Sequence, residues 1–143
     1  MDNQLSAKAV LIRTGAYGLA FNEEGKILLV RQKWGIHTGK YDLPGGGIEP
    51  KETVEEALHR EFQEELAMDF ISMKSVHNLT VITEALHDQH GPYLFHQIAL
   101  IYRVDHLTPI EGAEAELESR WIDFNKIRDL PCAPLLQKWL ETV

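Results

Sequence analysis

The segment from Thr53 to Ala67 places apolar residues every four positions, at Val54, Leu58, Phe62 and Leu66. That spacing draws one apolar stripe down an α-helix and commits the segment to packing a single face against a core. The helix start is marked as well. Thr53 with Glu56 three positions on forms a capping box, in which hydroxyl and carboxylate satisfy reciprocal backbone N–H groups. Residues three and four apart are neighbours on a helix, so the carboxylates of Glu61, Glu64 and Glu65 converge on one patch. At about 100° per residue, Glu61 and Glu65 fall on the shoulder of the stripe beside small Ala57, while Glu56, Arg60 and Gln63 face solvent. Acids beside a core face need a partner. Arg60, four residues from both Glu56 and Glu64, can bridge either, and a hard dication suits clustered carboxylate oxygens.

Immediately upstream, Tyr41-Asp42-Leu43-Pro44 leads into Gly45-Gly46-Gly47. Each glycine costs a helix interior about 1 kcal/mol relative to Ala, so this run marks close backbone approach or positive φ. Further back, Val10 to Phe21 reads as a long strand, Asn22 to Gly25 as a turn, and Ile27 to Val30 as a strand buried on both faces. The two strands are expected to form a hairpin, followed by a loop from Trp34 to Lys40. Downstream, Ser75 to Leu86 and Tyr93 to Val104 read as strands joined through residues 87–92, with Ile98, Leu100, Tyr102 and Val104 on one face. An acidic loop, Glu111 to Glu118, precedes a short strand at Arg120 to Ile122. Helices follow at Asn125 to Leu130 and Pro134 to Glu141, the last burying Leu135, Leu136, Trp139 and Leu140. No repeat or linker interrupts this order, so residues 1–143 are expected to form a single α/β domain, a mixed sheet flanked by helices.

Charge narrows the partners. Fourteen Lys plus Arg against twenty-two acids give a formal net charge of −8, which disfavours a nucleic acid polymer and any basic face for it. Small phosphorylated molecules remain suitable, provided a divalent cation mediates between two negative partners. No stretch approaches the roughly 20 apolar residues of a membrane span. Met1 to Lys8 is polar with no apolar run behind it, so no secretory leader is expected. The lone cysteine, Cys132, fits a reducing compartment and is expected to be a buried, inert thiol. The expectation is a soluble cytoplasmic domain, with a homodimer left open.

Three glutamates alone are more often a solvated acidic face. Here they belong to a longer pattern. Gly46, Glu52, Arg60, Glu61, Glu64 and Glu65, with apolar Phe62 and Met68, follow G-x5-E-x7-R-E-U-x-E-E-x-x-U, where U is bulky and apolar. Preceded by Pro44-Gly45-Gly46, this resembles the Nudix box, and average residue usage would match the six identities about once in ten million start sites. One position departs: the family has Gly where this chain has Ala67. Because Ala is penalised at positive φ, the helix is expected to close differently.

The resemblance implies a Nudix-type α/β/α sandwich and Mg²⁺-dependent hydrolysis (Mn²⁺ as an alternative) of a nucleoside diphosphate linked to another group, such as ADP-ribose or a nucleotide sugar. It further implies that Glu61 and Glu65 ligate the metal with the Gly45 carbonyl, and that Glu64 acts on the metal through water or serves as the base. Glu52 supports the cluster, and Arg60 orients the carboxylates by ion pairing. An acid of the later loop, Glu114, Glu116 or Glu118, is a further candidate ligand. For the substrate, Gly46 and Gly47 offer open backbone, and Tyr17, Trp34 and Tyr93 offer aromatic surface, although strand aromatics are more often core. His87 and His90, loop histidines without partners, read as solvated. Other readings are a sanitising pyrophosphohydrolase for oxidised nucleoside triphosphates, an inactive nucleotide sensor, and an isomerase of diphosphate-bearing isoprenoids. Intact Glu61, Glu64 and Glu65 argue against the sensor.

Overall fold

The computed structural model describes residues 9–143, so the polar start Met1 to Lys8 lies outside the described residues. In chain order the elements are β1 (Ala9–Leu19), β2 (Ile27–Arg31), β3 (Tyr41–Asp42), β4 (Gly45–Gly47), helix α1 (Val54–Leu66), β5 (Met68–Asp69), β6 (Ser72–His87), β7 (Gly91–Asp105), β8 (Thr108–Pro109), β9 (Glu118–Ile122), a 3₁₀ helix (Phe124–Asp129) and helix α2 (Pro134–Leu140). The largest sheet runs β4-β1-β7-β6, with β1 parallel to β7 and the other pairs antiparallel. A second sheet runs β3-β2-β9, and β5 pairs with β8. Among the described residues no helix is long and apolar enough to cross a membrane.

Strand alternation explains the layers. Successive side chains point to opposite faces, so Ala16 and Ala20 of the first strand segment join Leu28 and Val30 in packing against Ala57, Leu58, Phe62 and Leu66 of α1. Tyr17, Leu19, Ile27 and Leu29 turn the other way and pack with Leu135, Leu136, Trp139 and Leu140 of α2. The two helices therefore cover opposite faces, giving the sandwich, and Ile27 to Val30 is buried on both sides as its unbroken apolar run requires. Gly18 makes room for the helix: a Cβ there would stand 2.5 Å from Phe62 Cζ.

Several local expectations are refined. The β1–β2 hairpin exists beside its turn alone, where Phe21 bridges Ile27 and Leu28 N–H donates to the Ala20 carbonyl. Beyond that point β1 is taken by β4 and β7, and β2 by β3 and β9, so the strands diverge. Residues 124–129 are 3₁₀ rather than α, in a stretch whose Asp123 makes no side-chain cap. On β7 the more buried face is Gln97, Ala99 and Ile101, while Ile98, Leu100 and Tyr102 are half-buried. The paired fragments β5 and β8 carry no sequence pattern of their own.

The exit of α1 corrects the sequence reading. Ala67 takes the left-handed conformation a glycine would, with φ 53° and ψ 40°. Its N–H donates to the Gln63 and Phe62 carbonyls, and its carbonyl accepts from Ile110 N–H. Left-handed backbone costs an L-residue roughly 1–2 kcal/mol, and these bonds, with Met68 and Asp69 paired to β8, hold the turn in place. The capping box at Thr53 and Glu56 forms as its spacing requires.

Candidate active site

The glycine run lies directly on the acids. β4 pairs antiparallel with β1, Tyr17 opposite Gly45 and Ala16 opposite Gly46, which brings its backbone against the second half of α1. Gly45, at φ 141°, donates its N–H to Glu65 Oε1 at 2.9 Å, and a Cβ there would collide with the Ala16 carbonyl and Tyr17. A Cβ on Gly46 would lie 2.7 Å from Glu61 Oε1. Glycine is thus required where the strand meets the two carboxyls. Gly47 gives its carbonyl to Arg60 Nη2 at 2.9 Å, and the Arg13 guanidinium lies alongside it.

Arg60 is the hub of this network. The expected solvated position is corrected: its side chain is 23% exposed, because Glu56 is occupied by the capping box and Arg60 instead turns inward. Its guanidinium bonds Glu52 at 2.7 and 2.9 Å, Glu61 at 3.0 Å and, more loosely, Glu64 at 3.4 Å. Hydrogen bonding by Arg60 and by the Glu49 N–H holds the Glu52 carboxyl down at about 2. Glu61, part-buried, is raised from the usual range by desolvation, with Arg60 opposing the rise. Glu65, 9% exposed, is pushed up to about 9, first by burial, with Glu61, Asp42 and Glu116 adding repulsion. Glu64 stays open to solvent, its side chain 45% exposed.

The acidic loop docks on the end of α1, where Glu116 N–H donates to the Glu64 carbonyl at 3.0 Å and Leu117 N–H to that of Glu65 at 3.1 Å. Of the three acids considered there, Glu116 is the one whose charge reaches Glu65, whereas Glu118 pairs with Arg31 at 3.9 Å.

These groups fit a hard divalent cation. Among the described residues no three acids, histidines or cysteines are already gathered as a ligand cage. Mg²⁺ does not need one, since it commonly takes one or two carboxylates and fills its shell with water and phosphate oxygens. A buried carboxyl such as Glu65, with no basic side chain hydrogen-bonded to it, ionises readily only when a cation arrives.

A cleft of about 220 Å³ opens beside Glu61, Glu65, Gly45 and Gly46. Tyr17 and Trp34 line it, Trp34 being 59% exposed and Tyr17 buried. Burial and the nearby Asp42 raise the Tyr17 hydroxyl well above its ordinary range, and the hydroxyl accepts from Gln97 Nε2 at 2.6 Å. Tyr93 lies elsewhere, with Val10, His87 and His90 at the far ends of the long strands. Cys132 is buried, its thiol raised by desolvation and donating to the Ile127 and Leu130 carbonyls. The sequence reading did not include Gln32, Ile36, His37, Asp42, Phe95 and Gln97, which complete the lining. Gln97 had a signal: it is a polar residue in the same alternation as Ala99 and Ile101.

Asp42 gives a pH test. Its carboxyl is buried and raised from 3.8 to about 7 by desolvation, against the Leu43 N–H and Gln32, which stabilise the anion. An acid with a raised folded pKa binds its proton more tightly in the native state. Stability from this group is therefore intact below the ordinary pKa and drains as pH climbs towards 7. Asp42→Asn keeps the acceptor oxygen and removes the titration. The urea midpoint of the native chain should fall by at least about 1 M more than that of Asp42→Asn between pH 5 and 8. Parallel curves would show that Asp42 does not titrate in this range.

The sequence model of the NUDIX domain matches residues 11–143. The chain is 26% identical over 124 residues to the oxidized purine nucleoside triphosphate hydrolase of Danio rerio, spanning 85% of this chain and 69% of that one. It is 31% identical over 109 residues to the ADP-ribose pyrophosphatase of Methanocaldococcus jannaschii, spanning 76% of this chain and 60% of that one. Among solved structures, the MutT NUDIX hydrolase of Burkholderia pseudomallei superposes with a TM-score of 0.66 at 23% identity, covering 93% of this chain and 98% of the other.

Proposed function

Because this chain belongs to the NUDIX domain family, we propose that it works as a single-domain, Mg²⁺-dependent pyrophosphohydrolase that splits the diphosphate of a nucleoside diphosphate linked to another group, such as ADP-ribose or a nucleotide sugar. The observation that carries the proposal is the packing of two carboxyls, Glu61 and Glu65, under a glycine strand at the edge of a cleft. The likeness to an ADP-ribose pyrophosphatase supports the substrate class.

The residues divide the work by environment. Glu61 and Glu65, both shielded from bulk water, are the proposed metal ligands, with the Gly45 carbonyl beside them. When bound, the metal neutralises charge on the diphosphate oxygens and activates the attacking water, and Mn²⁺ can replace Mg²⁺. Glu64, solvent-open and held only loosely by Arg60, is free to rotate and take the proton of the attacking water. Arg60, gripped by Glu52, fixes Glu61 in place and withdraws it from competing rotamers. Glu116 is positioned to join from the docked loop. Gly46 and Gly47 present backbone to the substrate, and Trp34 and Tyr17 supply aromatic surface. At net charge −8 a nucleic acid polymer is a poor partner.

A second reading is favoured by the Danio rerio relative: sanitising hydrolysis of oxidised nucleoside triphosphates, the same chemistry on another substrate. One experiment separates these. The chain is assayed with Mg²⁺ or Mn²⁺ against ADP-ribose, sugar nucleotides, dinucleoside polyphosphates and oxidised deoxynucleoside triphosphates, with phosphorus NMR reading the products. Preferred turnover of the diphosphate-linked compounds is expected; preference for the triphosphates selects the second reading. No turnover with either metal would leave the inactive sensor.

A further inference from the structure

The cleft carries groups for which the metal chemistry has no use. Building on the reading of this cleft as a nucleotide site, we propose that His37 determines which nucleobase the protein accepts, hydrogen bonding the edge of a base that lies against Trp34.

The loop that holds His37 is shaped by its backbone. Gln32 N–H donates to the Lys40 carbonyl at 2.8 Å, Gly39 N–H to the Gln32 carbonyl at 2.7 Å, and Lys40 N–H to the His37 carbonyl at 3.0 Å. The Thr38 hydroxyl closes on the Gly35 carbonyl, and Gly35 and Gly39 take positive φ of 86° and 84°. The His37 side chain contributes none of these bonds. It is presented at the cleft by a frame that does not depend on it.

Its chemistry is unspent. Among the described residues, His37 Nδ1 is the buried side-chain nitrogen or oxygen left without a hydrogen-bond partner; it is shielded from solvent in the free protein, so the ring turns about its Cβ–Cγ bond to offer this nitrogen to a base. Other polar groups of the lining are already engaged: Gln97 donates to the Tyr17 hydroxyl, and Asp42 accepts from Leu43 N–H and Gln32. Burial, aided by the Lys40 charge, pushes the His37 imidazole down from its ordinary pKa and so favours the uncharged ring. A neutral imidazole offers one donor and one acceptor. That suits the edge of a heterocycle and not a phosphate.

Surroundings point the same way. The lining holds the carboxyls of Asp42, Glu61 and Glu65 and no lysine or arginine, so it offers an anionic group no salt-bridge partner. An uncharged flat ring needs none. Trp34 and Ile36 expose 59% and 43% of their surface beside it, area that a stacked base would remove from water. About 220 Å³ is room for one ring system.

Binding of products tests this without chemistry. With Mg²⁺ present, titration calorimetry compares the 5′-monophosphates of adenosine, guanosine, cytidine and uridine with purine riboside 5′-monophosphate, which lacks exocyclic groups, and with ribose 5-phosphate, which lacks a base. The wild type should bind one base about tenfold more tightly than purine riboside 5′-monophosphate, the worth of one hydrogen bond. His37→Leu should flatten that ranking to within about twofold, and His37→Asn, whose amide occupies the place of Nδ1, should restore part of it. On turnover the loss should fall on KM. An unchanged ranking in His37→Leu, equal binding of ribose 5-phosphate, or no binding of any monophosphate overturns the proposal. Turnover without base discrimination also overturns it but spares the hydrolase reading. Base discrimination with no turnover on any substrate does the reverse.

Discussion

Replacing Glu65 with Gln should leave a folded protein whose Mg²⁺-dependent turnover is at least about a thousandfold lower, the loss of roughly 4 kcal/mol of transition-state stabilisation. Glutamine keeps the shape and can still accept the Gly45 N–H that Glu65 Oε1 accepts at 2.9 Å. What it removes is the anion. In the metal-free protein that anion is disfavoured, since burial pushes the Glu65 carboxyl up to about 9, so the neutral amide should cost the native state nothing at pH 8. The raised pKa fixes the sign: the acid form is intact at low pH and its contribution drains as pH rises towards 9, a decline absent from Glu65→Gln. Adding Mg²⁺ should raise the melting temperature of the native chain and leave that of Glu65→Gln unmoved. Activity within about tenfold of wild type, or equal stabilisation of both proteins by Mg²⁺, would remove Glu65 from the metal site.

The place of this carboxyl could be read from the sequence because its signal is local. Glu61, Glu64 and Glu65 are set by helix geometry over four residues, the capping box by a spacing of three, and the glycine run by backbone sterics. The folded chain keeps the capping box and the close glycine run, and it brings Glu61 and Glu65 to that run while Glu64 stays open to solvent. Arg60 was misplaced because helix angle alone ignores competition: Glu56, its nearer partner, is consumed by the cap, and the glycine strand brings Gly47 within reach. Ala67 was misjudged in the opposite sense, since an intrinsic penalty was overridden by bonds to residues forty positions away. The cleft was largely invisible. Gln32 and Asp42 belong to the β2–β3 pair and its exit, whereas Phe95 and Gln97 stand on β7 of the other sheet, so the cleft forms only where the two sheets come together. A contact across that separation leaves no periodicity in either strand.

The helix that carries the acids is anchored from its other side, and there the largest effect on stability is expected. Phe62 is fully buried between α1 and the sheet, edge-on to Phe70 at 5.2 Å, and its ring fills the space that Gly18 leaves open. Phe62→Ala should cost about 3–5 kcal/mol. The upper part of that range is favoured here, because the sheet residue facing the hole is a glycine with no side chain to collapse into it. At about 3 °C per kcal/mol for a chain of this size, the melting temperature should drop by roughly 10 °C or more. Ile71→Ala, at a residue 76% exposed, is the control and should change stability by no more than about 0.5 kcal/mol. Because Glu61 and Glu65 ride on the same helix as Phe62, Mg²⁺ should recover part of the lost stability by holding that helix to the glycine strand. Equal losses in the two variants, or a Phe62→Ala protein that Mg²⁺ cannot stabilise while it still turns over substrate, would mean that packing and metal binding do not act through this one helix.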